Sequence, residues 1–181
     1  MKYTSLLLFI LFISGCSTMQ PPRYFTSTDN ILSLRGYSNS KFIITKITQP
    51  VNFDSTCRMI GFIQPADGLT FSEFIMKAFN DEMKMADAFS KTGRKITGTI
   101  NEIKFSSISG ITSGFWDISL SLVSANGKSL NISNRYEFKS GFDAITACNA
   151  TADALTPAVQ DLIYKIVADS NFSKLLNNFS K

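Results

Sequence analysis

The sequence predicts an α+β domain of two layers, an antiparallel sheet with two helices packed on one face. Three observations carry that expectation. Residues 71–89 repeat apolar side chains with the period of a helix. Residues 116–138 alternate apolar and polar side chains about an Asn-Gly pair. Residues 143–166 return to helical spacing. Elements following one another in the order β-α-β-β-β-α bury their apolar faces when the helices lie on one side of the sheet.

The first strand is Phe42-Ile43-Ile44-Thr45-Lys46-Ile47, rich in β-branched and aromatic residues and ending before Pro50. A loop with Cys57, Pro65 and Gly68 follows. Thr70-Phe71-Ser72-Glu73 then has the spacing of a capping box, with Thr70 as cap and Glu73 reaching back to it. Phe71, Phe74, Ile75, Ala78, Phe79, Met83, Ala86 and Phe89 share one face of a helix of about five turns. Lys77, Asp81, Lys84 and Asp87 fall on the opposite face.

The second strand is expected over Lys95 to Ser106. Its alternation slips between Ile100 and Ile103, which predicts a bulge or a change of exposed face. Ser106 to Gly114 is rich in serine and glycine and reads as a flexible turn. Trp116, Ile118, Leu120 and Leu122 then point one way, and Asp117, Ser119 and Ser121 the other. Asn126-Gly127 is a hairpin signal because both residues tolerate positive φ. After it Leu130, Ile132, Tyr136 and Phe138 again share a side, giving a meander with one buried face.

The last major helix begins between Asp143 and Thr151, with Cys148, Ala152, Leu155, Val159, Leu162, Ile163 and Ile166 on one face. Pro157 lies inside this pattern. The helix either kinks there or starts again with Thr156 as cap and Pro157 in its first turn. Phe172, Leu175, Leu176 and Phe179 mark residues 171–181 as a short amphipathic tail.

The N-terminus has a different character. Lys2 precedes an apolar run from Leu6 to Ile13, too short for the ~20 residues of a membrane-spanning helix but of signal-peptide length. Ile13-Ser14-Gly15-Cys16 matches a lipobox, so residues 1–15 are expected to be a signal peptide and Cys16 the site of lipidation. More than one acyl chain gives durable anchoring, each buried methylene contributing about 0.8 kcal/mol. Ser17 takes the place of the Asp by which enteric-type bacteria retain lipoproteins in the inner membrane, so the expected address is the outer membrane, with the domain in the periplasm. Residues 16–40, with Pro21-Pro22 and little periodicity, read as the lipidated cysteine and a tether whose Ile31, Leu32 and Leu34 are able to dock on the domain at 41–170.

Cys57 and Cys148 are an even pair in an oxidising compartment and read as a disulfide. Closing about 90 residues, such a bridge contributes roughly 4–5 kcal/mol in the chain-entropy model. The alternative is two free thiols or metal ligands. The chain contains no histidine, and two cysteines fall short of the four ligands of tetrahedral zinc.

That lack of histidine also removes Ser-His-Asp and Cys-His machinery. No G-x-S-x-G, Walker loop or dinucleotide fingerprint is present. Carboxylate pairs at Asp81 and Glu82, or Glu102 and Asp117, are better read as solvated charges. Trp116 and Tyr136 sit at inward positions and are better read as core than as the lining of a ligand groove. The net charge of +4 is scattered, without the basic stripe of a nucleic-acid binder. No catalytic residue, cofactor or metal is therefore expected.

The lipobox, the first helix, the hairpin through Asn126-Gly127-Lys128-Ser129 and the final helix resemble small proteobacterial lipoproteins with a two-cysteine periplasmic domain. They resemble the YajG-type lipoproteins more distantly. The matching positions are Cys57-Arg58 with Gly61, and Cys148-x-x-Thr151-Ala152-x-Ala154-Leu155-x-Pro157-Ala158-Val159-Gln160-x-Leu162. The resemblance covers most of 41–170 and implies no catalytic residues. Two roles of different class remain. One is an accessory, protein-binding subunit of an envelope assembly for secretion, transport or outer-membrane biogenesis. The other is a binding module for a lipid, glycan or peptide held between helices and sheet. The expected partners are the membrane, through the N-terminal lipid, and another envelope protein.

Overall fold

The computed structural model describes residues 17–110 and 112–177; Cys16, the signal segment and Phe179 lie outside them. The elements in chain order are β1 (Ser17–Met19), α1 (Thr28–Arg35), β2 (Phe42–Thr48), β3 (Thr56–Cys57), β4 (Gly61–Ile63), a 3₁₀ turn at Ala66–Gly68, α2 (Phe71–Met85), β5 (Arg94–Ser106), β6 (Ser113–Ser124), β7 (Ser129–Lys139), α3 (Ala144–Asp153), α4 (Leu155–Ala168) and α5 (Phe172–Leu176).

The main sheet has the order β2-β5-β6-β7, and α2 and α4 cover one of its faces. The α+β class and the helices on one face are as the sequence predicts, but the sheet is mixed. β2 pairs with β5 in parallel, while β5-β6 and β6-β7 are antiparallel. The reason lies in the connection: α2 returns the chain to the starting end of β2, and a strand-helix-strand passage delivers a parallel neighbour. A small second sheet, β1-β4-β3, forms from segments read as tether and loop.

The alternation of β6 is followed closely. Trp116, Ile118, Leu120 and Leu122 are fully buried, and they meet Phe42, Phe79, Phe172 and Ile163 in one core. The slip in β5 is a bulge between Ile100 and Glu102. Strands extend to Ser106 and from Ser113, so the connection read as 106–114 is shorter than expected. Gly114 belongs to the strand, where a Cβ would stand 2.5 Å from the Phe138 ring. The capping box of α2 is present: Glu73 N–H donates to Thr70 Oγ1 at 3.2 Å, and Thr70 N–H donates to Glu73 Oε2 at 2.8 Å. The helix stops earlier than its apolar spacing implies, because Asp87 turns the chain with φ of 54°.

Two helices replace the single last one. α3 is capped by Asp143, and the chain starts again at Ala154 with Pro157 in the first turn of α4, where its missing N–H costs nothing. Thr156 is not the cap; it is buried within that turn.

The largest departure concerns residues 17–40. Met19, Asn30 and Leu34 are buried, β1 is a strand, and α1 lies across α2 and α4 as a third layer. These residues are a packed strap rather than a loose tether, and Leu34 is the docking residue that the sequence offered. The C-terminal tail is likewise core. Phe172 stacks among Phe42, Phe79 and Tyr37, and Asn126 of the hairpin turn donates to the carbonyls of Lys174, Leu175 and Asn177.

Candidate functional site

Cys57 and Cys148 form a disulfide with Cα atoms 5.9 Å apart. The geometry lies inside the range a bridge requires, and it staples the small sheet to α3. The two thiols are therefore neither free nor metal ligands.

The outer face of β5-β6-β7 is uncovered. Along it Thr99 stands opposite Ser121, Ser119 opposite Ser133, and Asp117 between Lys104 and Arg135. Asp117 accepts two bonds from Arg135, at 2.7 and 2.6 Å, and Lys104 lies 3.6 Å away while bonding Glu102 at 2.6 Å. Arg135 also rests 4.3 Å over the Phe115 ring. The Arg135 bond holds the Asp117 carboxyl below the usual carboxylate range, and the Glu102 bond raises the Lys104 ammonium. Both shifts favour the charged forms. A proton carrier at neutral pH needs the reverse, a carboxyl raised or an amine lowered. Glu102 and Asp117 are thus brought together, as members of an exposed ion cluster on a flat face.

The two edges of the sheet differ. At β2 the first half of the edge is capped: Asn80 of α2 accepts from Ile44 N–H at 3.1 Å and donates to Ile44 O at 2.9 Å, while Ala88 and Ser90 bond Phe42. At the other side β7 runs for 11 residues and is paired only with β6 among the described residues. Ser129, Asn131, Ser133, Arg135, Glu137 and Lys139 are exposed along it, while Asn134 faces inward and clips β7 to α4 by donating to Ala158 O.

Asp81 and Glu82 separate, contrary to their reading as one solvated pair. Asp81 is a surface acid bonded by Lys77 and Lys84, at 2.6 and 2.8 Å, which hold its carboxyl low against the opposing effect of partial burial. Glu82 is fully buried. Its Oε1 accepts from Tyr24 O–H at 2.6 Å and Ser27 N–H at 2.8 Å, and approaches Asn30 Nδ2 at 3.5 Å. Burial and this carboxylate push the Tyr24 phenol far up. Glu82 therefore fastens the strap to α2. Sequence reasoning missed it because its partners were placed in a tether; the signal available was Glu82 falling between Phe79 and Met83 of the apolar face.

Trp116 is core, donating from Nε1 to Thr151 O at 2.9 Å, and Tyr136 packs half-buried against the same core. Around these two residues the space between helices and main sheet is thus filled by side chains. Clefts lie outside it, one of about 250 Å³ lined by Ser27, Asp29, Asn30, Gln160, Asp161 and Tyr164, and one of about 500 Å³ bordered by Lys41, Arg94 and Lys95. Among the described residues no group of three or more His, Cys, Asp or Glu is placed to hold a metal ion. No described helix is long and apolar enough to cross a membrane.

No protein-family model matches the chain, and no curated protein matches it. The fold is similar to that of a Xanthomonas campestris protein of the DUF330 family, with a TM-score of 0.55 at 10% identity over 83% of this chain and 95% of that one. Weaker likenesses are to a Caulobacter crescentus CB15 protein (TM-score 0.43, 12% identity, 82% and 99% covered) and a minor lipoprotein of Acinetobacter baumannii (0.40, 11%, 75% and 91%). At these identities the similarity is one of fold.

Proposed function

We propose that this chain is a lipid-anchored envelope lipoprotein, attached through Cys16 on the periplasmic side of the outer membrane. Its domain acts without catalysis, as the protein-binding accessory subunit of an envelope assembly. The lipobox Ile13-Ser14-Gly15-Cys16 and the Ser17 that follows it support the anchor and its address. The observation that carries the binding role is the long β7 edge beside an uncovered, ion-studded face. Exposed edge strands are templates for pairing with another chain, and proteins usually cover or blunt them. Here the β2 edge is capped at Phe42 and Ile44, and no described residue caps the β7 edge.

The test is photocrosslinking in living cells from positions 131, 133 and 137 of the full chain. Discrete adducts to one envelope protein are expected from these positions and not from position 51, an exposed loop site. Adducts spread evenly over both, or none at all, would remove the proposal. Labelling with radioactive palmitate is expected for the wild type and lost in Cys16→Ala.

A further inference from the structure

The β3–β4 connection is three residues, Arg58 to Ile60, and its turn is closed by Ile60 N–H donating to Cys57 O at 3.0 Å. Its central residues, Arg58 and Met59, both have positive φ, 46° and 57°. Tight hairpins of this hand normally place Asn or Gly there, because a side chain in the left-handed region is strained. Such strain persists where the surroundings enforce it, and it collects at functional positions. The turn presents Met59 at 95% exposure.

Arg58 beneath it gathers two other segments. Its Nε and Nη2 donate to Ser107 Oγ and Ser107 O at 3.0 and 3.1 Å, and its Nη1 donates to Phe142 O at 3.2 Å. The segments so joined carry Ile108, Phe142 and Ile145, exposed by 59, 82 and 65%. The Cys57–Cys148 bridge fixes the same corner, with Ile145 one helical turn before Cys148. Four exposed large apolar side chains therefore lie on segments that Arg58 and the disulfide tie into one corner, where scattered single exposures would be unremarkable.

The start of the strap identifies what they meet. β1 runs parallel to β4 with Ser17 opposite Gly61, so Ser17 lies at the end of the small sheet that bears the Arg58-Met59 turn. Residue 16 is one peptide away, about 3.8 Å in Cα spacing. With 17–40 packed as a strap, no length of loose chain separates the acyl attachment point from this tip. We infer that Met59, Ile108, Phe142 and Ile145 form a footprint that enters the headgroup–acyl boundary of the bilayer, holding the domain in a fixed orientation beside its own lipid. The Arg58 guanidinium, bonded to Ser107 and to Phe142 O, suits the polar level of such an interface. The inference rests on lipidation at Cys16.

The experiment uses the full chain expressed in its envelope, purified in acylated form and reconstituted in phosphatidylethanolamine/phosphatidylglycerol vesicles with or without brominated phosphatidylcholine. Phe142→Trp places a reporter in the footprint. Val123→Trp places one at the far end of β6, roughly 30 Å along the strand from Ser113 at ~3.3 Å per residue. Native Trp116 is buried and serves as the common background. The Phe142→Trp signal is expected to shift to the blue and lose most of its added intensity to brominated lipid, with the Val123→Trp signal unchanged. Hydrogen exchange on the unsubstituted protein is expected to slow at 58–60 and 142–145 upon reconstitution. Acylated, vesicle-bound protein with an unquenched Phe142→Trp reporter, or with both reporters quenched alike, would overturn the footprint while leaving the anchor intact. Protein lacking acyl chains by mass would overturn the anchor and the footprint with it.

Discussion

The main sheet and the N-terminal strap both rest on α2, but the strap adds a set of directional polar bonds to the apolar burial of Met19 and Leu34. Toward the sheet α2 presents Ala78, Phe79 and Met83, closing a core of aromatic and aliphatic side chains, while Phe74 meets the Tyr24 ring of the strap edge-on. Toward the strap it presents the buried Glu82, which receives Tyr24 and Ser27. Other polar bonds complete the fastening: Gln160 donates to Phe25 O at 2.8 Å, Asn30 donates to Gln160 O at 3.0 Å, and Arg23 reaches Asp67 at 2.9 Å. Apolar burial is non-directional and tolerates small displacement, whereas a carboxylate with named donors fixes one position of the strap. The strap is therefore the part whose position a single polar substitution should loosen most.

The largest effect is expected in the core. Trp116→Ala removes a fully buried indole and its bond to Thr151, and should cost about 3–5 kcal/mol in urea unfolding. A smaller loss would mean that the core is less tightly interlocked than its burial implies. Next comes the bridge: replacing Cys57 and Cys148 together by Ala should cost roughly 2–5 kcal/mol, with exchange accelerated first in β3 and β4. Uniform acceleration across β5 and β6 would show that the small sheet is not a separate unit.

Glu82→Ala sharpens the comparison most directly. It should cost about 1–3 kcal/mol by leaving Tyr24 and Ser27 without their acceptor, and should speed exchange at 24–31 while β6 stays protected. Equal loss of protection in both regions would show that strap and core are one cooperative body. The alkaline limb tests the same contact. Tyr24 is raised in the fold, so its contribution is complete below the ordinary tyrosine value near 10 and is lost as pH climbs above it. Tyr24→Phe should flatten that decline in a pH series of thermal melts. The smallest effect belongs to the open face, where Asp117→Asn should cost less than about 1 kcal/mol because the ion cluster borders solvent. Asp117 is lowered, so what it contributes is present above the ordinary aspartate range and fades as pH falls through the lowered value.

The parts of the fold that were legible in the sequence are those written in periodicity. The alternation of Trp116 to Leu122, the slip at Ile100 and the capping box at Thr70 report local geometry, and each is found where the spacing places it. Parallel pairing of β2 with β5 is not a local property, and only the helix between them hinted at it. The strap was illegible for a further reason. A segment with two prolines and scattered apolar residues looks loose until its acceptor on α2 is known, and a lone buried Glu82 reads as one more surface acid. The disulfide was legible as arithmetic, since Cys57 and Cys148 remain once Cys16 is set apart; the Arg58-Met59 tip was not, because nothing in that dipeptide announces positive φ.

The unequal edges of the main sheet limit the ways in which these domains can join one another. In the language of polymer chemistry a sheet with two free margins is a bifunctional monomer and propagates, as amyloid-prone sheets do. Asn80, by occupying both backbone groups of Ile44, lowers the functionality of the main sheet at one margin. A strand added at β7 faces a blunted margin on the other side of the same sheet, which disfavours growth past a single coupling. Such partial chain termination favours strand pairing that stops short of fibrils.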